Sequence, residues 1–124
     1  MLHFNSHRKL TGGLVALSLF AASVHARAAD YAPIDCGKAS SSAERAICRS
    51  YSLGQAEARM ATLFGVVTSL VAMGQRGDIG DAQRKWLGER NACGNDGACI
   101  ARAYQSRITA LSSALDAIAS RGPF

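Results

Sequence analysis

Four cysteines in a chain of 124 residues, Cys36, Cys48, Cys93 and Cys99, limit what this polypeptide can fold into more than any other feature. An even number of cysteines in a short exported chain reads as a disulfide framework. Zinc is the competing use of four cysteines. It normally draws on C-x-x-C pairs, whereas the spacings here are eleven and five intervening residues. Two bridges contribute on the order of 2–4 kcal/mol each, a large share of the stability of a small domain.

The segments between the cysteines show helical periodicity. Ala29 to Ser40 reads as an extended lead-in, because Pro33 opposes helix. Ser41-Ser42-Ala43-Glu44 fits a capping box, and the short helix that follows to about Arg49 turns Ala43, Ile47 and Cys48 inward. From Leu53, apolar residues recur at Ala56, Met60, Leu63, Phe64, Val67, Leu70 and Val71, the steps of three and four that mark one buried helix face. Gly74, Gly77 and Gly80 predict a loop over 74–80, with Asp81 as N-cap of a helix carrying Ala82, Trp86, Leu87, Arg90 and Cys93. Gly94 to Gly97 predicts a tight turn. Asp96 then caps a last helix with Ile100, Tyr104, Ile108, Leu111, Leu115 and Ile118 on one face. No segment alternates with a two-residue period. The expected fold is all-α, a small antiparallel bundle or hairpin of three to four helices stapled by two disulfides.

Cys93 closes one helix and Cys99 opens the next, which an antiparallel hairpin sets side by side. Cys36 lies in the lead-in that runs back past the helix ending in Cys48. The favoured pairing is Cys36–Cys48 with Cys93–Cys99, although the sequence leaves the two crossed pairings open.

The N-terminus has the layout of a secretory signal peptide. Arg8 and Lys9 precede an apolar run from Leu10 to Ala22, and Ala26-Arg27-Ala28 fits a cleavage site, with Val24-His25-Ala26 as a second. A membrane anchor needs a run of roughly 20 residues, longer than this one. The expected division is a cleaved leader at 1–28 and a single domain at 29–124. The product is expected to be periplasmic or secreted, without stable membrane insertion. The leader holds three of the 14 basic residues and none of the nine acidic ones, so its removal takes the net charge from +5 to +2. With no basic cluster longer than Arg84-Lys85, nothing in the chain points to nucleic acid.

Much of the usual catalytic chemistry is missing. His3, His7 and His25 all lie in the leader, which removes Ser-His-Asp and Cys-His systems from the expected product, along with His-bearing zinc sites. No P-loop, G-x-G-x-x-G or G-x-S-x-G occurs. Glu44, Glu57 and Glu89 are the candidates for a carboxylate pair. Each has an ordinary role, Glu44 as a cap and the others beside Arg or Lys on a helix face. Asn95-Asp96-Gly97 lacks the ladder and closing Glu of a calcium loop and is read as a turn. Arg76-Gly77-Asp78 spells the tripeptide read by integrins and is taken as a solvated turn. The expectation is a binder rather than an enzyme, with no cofactor and no metal. The uncharged stretch from Met60 to Gly74 is either a central buried helix or an apolar face for a homodimer or another partner. Gly65 within it suggests a close helix–helix approach.

The chain also resembles a family, the bacterial lysozyme inhibitor LprI-like N-terminal domain. The residues that carry the resemblance are Cys36, then Glu44-Arg45-Ala46-Ile47-Cys48, then Gln83, Trp86, Leu87, Arg90 and Cys93, then Cys99, Ile100, Tyr104, Arg107, Ile108 and Leu111. It covers about Cys36 to Leu115. The departures lie in the middle, where the family's Leu-Asp step is Ala56-Glu57, a customary Tyr is Phe64, and Met60 to Met73 is more apolar than usual. The resemblance implies export, a helical domain and inhibition of lysozyme or another wall-degrading hydrolase by protein binding. Exposed loops at Asp35 to Ser41 or Gly94 to Ala98 would enter the enzyme's cleft. Trp86, Arg90, Tyr104, Arg107, Asn95 and Asp96 are the candidate partner-binding residues. The favoured reading of the first four is the duller one, with Trp86 and Tyr104 in the core and Arg90 and Arg107 salt-bridged near the hairpin. The alternative function is an immunity or envelope-assembly partner using the apolar helix 60–73.

Overall fold

The computed structural model describes residues 33–122. The leader assigned to residues 1–28 lies outside the described residues. Among the described residues there are four α-helices, one short 3-10 turn and no strand. The turn is Cys36–Lys38, followed by α1 (Ser42–Arg49), α2 (Tyr51–Leu70), α3 (Met73–Ala92) and α4 (Gly97–Ala119). The chain is all-helical and carries two disulfides, Cys36–Cys48 and Cys93–Cys99. None of its helices is long and apolar enough to cross a membrane among the described residues.

Local signals start most of these elements. The Ser41 hydroxyl accepts from the Glu44 amide, and the Glu44 carboxylate accepts from the Ser41 amide, completing the capping box of α1. Ser50 ends α1 and at the same time caps α2 through Leu53 N. Asp96 caps α4, accepting from Ala98 N and Cys99 N at 3.0 Å each. Gly94 sits in the left-handed region at φ 59°, where a side chain is strained, and turns the chain out of α3.

Helices α2, α3 and α4 run up, down and up. Glu57 of α2 meets both Arg90 near the end of α3 and Tyr104 near the start of α4. At the other end, Val67 and Val71 border Ile79 and Ile118. Thus α2 and α4 are parallel, with α3 antiparallel to both. The short α1 lies across the end near Arg90. Met60, Phe64, Trp86, Ile100, Tyr104 and Leu111 form the centre of the core, and Ala43 and Ile47 of α1 close it from below.

The expected loop at 74–80 is a correction, because these residues are the first turns of α3. Asp81 is accordingly not an N-cap. It lies within the helix and pairs with Arg84. The helix begins after Ala72, which makes no side-chain cap bond. Three glycines disfavour helix here by roughly 1 kcal/mol each. The anchored part of α3 downstream supplies the nucleus, so each added residue gains a bond without a new nucleation cost. Arg76 adds a tie by donating to the carbonyl oxygens of Thr68 at 2.9 Å and Val71 at 3.4 Å, at the otherwise open end of α2. The Arg76-Gly77-Asp78 tripeptide is therefore helical, not a turn.

The close approach expected at Gly65 is also corrected. A β-carbon built there, or at Gly54, meets nothing within 4 Å. The uncharged stretch is divided between core and surface. Met60, Phe64 and Val67 are buried, while Val66 and Leu70 are 39% exposed and Met73 is 83% exposed.

Candidate functional site

Four parts of the chain meet at one buried carboxylate, and a fifth reaches it through Arg90. Glu57, 3% exposed, lies on the inner stripe of α2 between Leu53 and Met60. Its Oε2 accepts from Tyr104 Oη at 2.5 Å and stands 3.6 Å from Arg90 Nη1. Its Oε1 accepts from the backbone amide of Ile34 at 3.3 Å, which fastens the lead-in. Arg90, 2% exposed, also places Nη2 3.9 Å from Glu44 Oε1 in α1 and bonds the Asn91 side chain at 2.9 Å. Its guanidinium carbon lies 5.5 Å from the centroid of the Trp86 ring, within cation–π range. Trp86 and Tyr104 meet edge to face at 5.3 Å, and the indole N–H donates to Ala103 O.

A second buried chain of polar groups lies higher in the bundle. Arg107 donates from Nε to Gln83 Oε1 at 2.7 Å and from Nη2 to Ile79 O at 3.2 Å. Gln83 in turn reaches Met60 Sδ at 3.2 Å. No buried side-chain nitrogen or oxygen among the described residues lacks a partner, so each cluster is a satisfied network rather than a site waiting for a ligand.

The electrostatics follow from these contacts. The amides of Ser41 and Ser40 hold the Glu44 carboxyl below its usual range, and Arg90 adds a smaller effect in the same direction. Burial, followed by the adjacent Glu57 carboxylate, pushes the Tyr104 phenol well above its ordinary value. Burial makes the charged form of Arg107 more costly.

Of the six candidate partner-binding residues, Trp86, Arg90, Tyr104 and Arg107 are buried in these networks. Asn95 and Asp96 are exposed in the turn after α3, where the Asp96 carboxylate is engaged in capping α4. Arg107 is held by an amide oxygen and a backbone carbonyl rather than by an ion pair. The reading of Glu57 as the partner of an Arg or Lys within a turn on its own helix face is corrected, since it is the hub of the first cluster and its arginine, Arg90, comes from α3. Its signal was available. Leu53, Glu57, Met60 and Phe64 recur at steps of four, three and four, so Glu57 occupies a position on the buried stripe. Gln83 was missed as a buried polar group although it stands three residues before Trp86 on the inner face of α3.

The first cluster borders two loops at one end of the molecule. Residues 35–41 lead into α1, and their Ser40 and Ser41 amides bond the same Glu44 carboxylate that faces Arg90. The turn at 93–96 begins less than one helical turn beyond Arg90. Each loop is also tied by a disulfide. Between the first loop and α3 lies a cleft of about 310 Å³ bordered by Asp35, Lys38, Leu87 and Arg90. No group of three or more Cys, Asp or Glu among the described residues is placed to hold a metal ion.

No family model, curated protein or solved structure matches this chain.

Proposed function

We propose that this chain is an exported protein-binding domain that blocks a wall-degrading hydrolase, lysozyme being the first candidate, by presenting the loop at 35–41 and the segment 94–98, a turn that runs into the first residues of α4. The carrying observation is that two disulfide-tied, exposed loops share one end and are anchored to one buried ionic cluster. Loops held this way lose little conformational entropy when they dock, which favours occlusion of a concave site. The sequence resemblance to the LprI-like family supports the choice of target class. Trp86, Arg90 and Tyr104 serve this reading indirectly, by packing beneath the loops. Two disulfides also suit the oxidising compartments in which such hydrolases work.

The test is inhibition of a panel of lysozymes by the oxidised protein, beside a pull-down from its own cell envelope. Dose-dependent inhibition that is lost when Asn95 and Lys38 are both replaced by Ala supports the reading. No inhibition and no capture of any lysozyme at tens of micromolar removes the lysozyme version.

A second reading, an envelope-assembly or immunity partner, rests on the exposed apolar side chains Val66, Leu70 and Met73. Capture of an envelope protein that is abolished by Leu70→Ser with Met73→Ser, and unaffected by the loop variants, would favour it.

A further inference from the structure

A groove of about 400 Å³ runs between the C-terminal half of α2 and the stretch of α3 from Met73 to Leu87. Leu87 also borders the cleft beside the first loop, and binding in the groove does not rest on the function proposed above. Phe64 and Leu87 supply its apolar wall, and Met73 stands at its mouth, 83% exposed. It exists because α3 turns glycines toward α2. A β-carbon at Gly77 would meet nothing within 4 Å, and one at Gly80 would meet only Arg84 Nη1 at 3.6 Å.

Its charge is one-sided. The groove is lined by Arg76 and Arg84 and by no carboxylate. Arg84 is paired with Asp81 on an open surface, where such a pair is weak and exchangeable. Arg76 donates only to the neutral carbonyls of Thr68 and Val71 among the described residues, so no side-chain anion balances its charge there. Arg76 and Arg84 are eight residues apart on one helix, about 12 Å along its axis. The glycine-floored apolar trough lies between them. A volume of this order, mainly apolar with a few fixed polar groups, is the usual make-up of a small-molecule site.

The geometry points to a binding site for a free single-chain anionic amphiphile, a fatty-acid-type carboxylate. Its head would be met by Arg76, and its chain would lie over Gly77 and Gly80 against Phe64 and Leu87. A guanidinium fits a carboxylate through paired donors, and the trough removes the chain from water. A volume of about 400 Å³ suits one unbranched chain better than a folded segment of another protein.

The experiment uses the protein recovered from the periplasm of a bacterial expression host, titrated calorimetrically with laurate below its critical micelle concentration. Dodecyltrimethylammonium is the control of equal chain length. Laurate is expected to bind with one site per chain and at least tenfold more tightly than the cationic control. Gly77→Leu, which fills the trough and replaces a helical glycine, should lose binding while its thermal midpoint stays at or above that of the parent. Arg76→Gln also gives up the tie to the Thr68 and Val71 carbonyls, so Arg76→Lys is measured beside it; Gln should weaken laurate at least tenfold, Lys should retain most of the binding, and the cationic control should be unchanged in both. Equal binding of the two amphiphiles, or undiminished binding by Gly77→Leu, overturns the assignment. So does binding to anionic phospholipid vesicles with no uptake of laurate.

Discussion

Tyr104 donates its phenolic proton to Glu57 at 2.5 Å across 47 residues of sequence, and the same carboxylate oxygen stands 3.6 Å from Arg90. The three groups are each at most 3% exposed, so their energies differ according to what each leaves behind when removed. Tyr104→Phe takes away a donor while Glu57 keeps Arg90 and the Ile34 amide, and should cost about 1–3 kcal/mol. Glu57→Ala removes the nearer of the two carboxylates beside the buried Arg90 guanidinium, at 3.6 Å against 3.9 Å for Glu44, and should cost about 3–5 kcal/mol. Urea denaturation of the two variants checks the order. Equal losses would mean that the hydroxyl, not the charge pair, carries the cluster.

Glu44 and Tyr104 are expected to tilt stability with pH, with opposite signs at the two ends. Glu44 has its folded pKa lowered from 4.5. Its contribution is therefore present above 4.5 and is lost as pH falls through the lower folded value. Tyr104 has its folded pKa raised from 10.0. The folded state keeps the phenolic proton while the unfolded chain releases it, so this contribution is complete below 10 and declines as pH rises further. Thermal midpoints between pH 2 and 11.5 should fall at both ends. Glu44→Gln should flatten the acid limb and Tyr104→Phe the alkaline limb. An alkaline limb unchanged in Tyr104→Phe would assign it to other groups.

The two disulfides should not be equivalent. Their residues are 12 apart for Cys36–Cys48 and 6 apart for Cys93–Cys99. Chain entropy alone gives about 3 kcal/mol for the longer loop and about 2 kcal/mol for the shorter. The longer bridge also secures the lead-in that supplies the Ile34 amide to Glu57. Replacing Cys36 and Cys48 by Ser should thus destabilise more than replacing Cys93 and Cys99. It should also speed amide exchange at Ile34, whereas the other double variant should not.

How much of this was legible in the sequence depends on which residues carry the signal. The capping box at Ser41 and Glu44, the Asp96 cap and the apolar stripe of α4 are local, and each appears where the sequence indicates. The disulfide pairing followed from placing Cys93 and Cys99 at facing helix ends. The start of α3 was not legible, because Gly74, Gly77 and Gly80 have coil-like propensity and are overridden by a helix nucleated downstream. The inward role of Glu57 was present in its spacing but was outweighed by the habit of charged residues to face water. The partners of Arg90 and Arg107 come from helices distant in sequence, and no local pattern encodes which groups meet across a core. Asn95 and Asp96 were legible as a turn but not as a surface with a known partner.

The glycines give a last test that separates backbone preference from packing. Gly65 lies inside α2, where a β-carbon meets nothing within 4 Å, so Gly65→Ala adds no clash and removes conformational freedom from the unfolded chain. It should raise stability by about 1 kcal/mol. Gly94 also has open space around it but holds φ at +59°, where an L-residue is strained. Gly94→Ala should lower stability by about 1 kcal/mol despite equal room. The same substitution is thus expected to act with opposite signs at two uncrowded sites, as measured by the shift in denaturation midpoint. A destabilising Gly65→Ala would show that the outer face of α2 is covered in solution, and dilution would then be expected to lower the thermal midpoint of the parent through loss of a second copy.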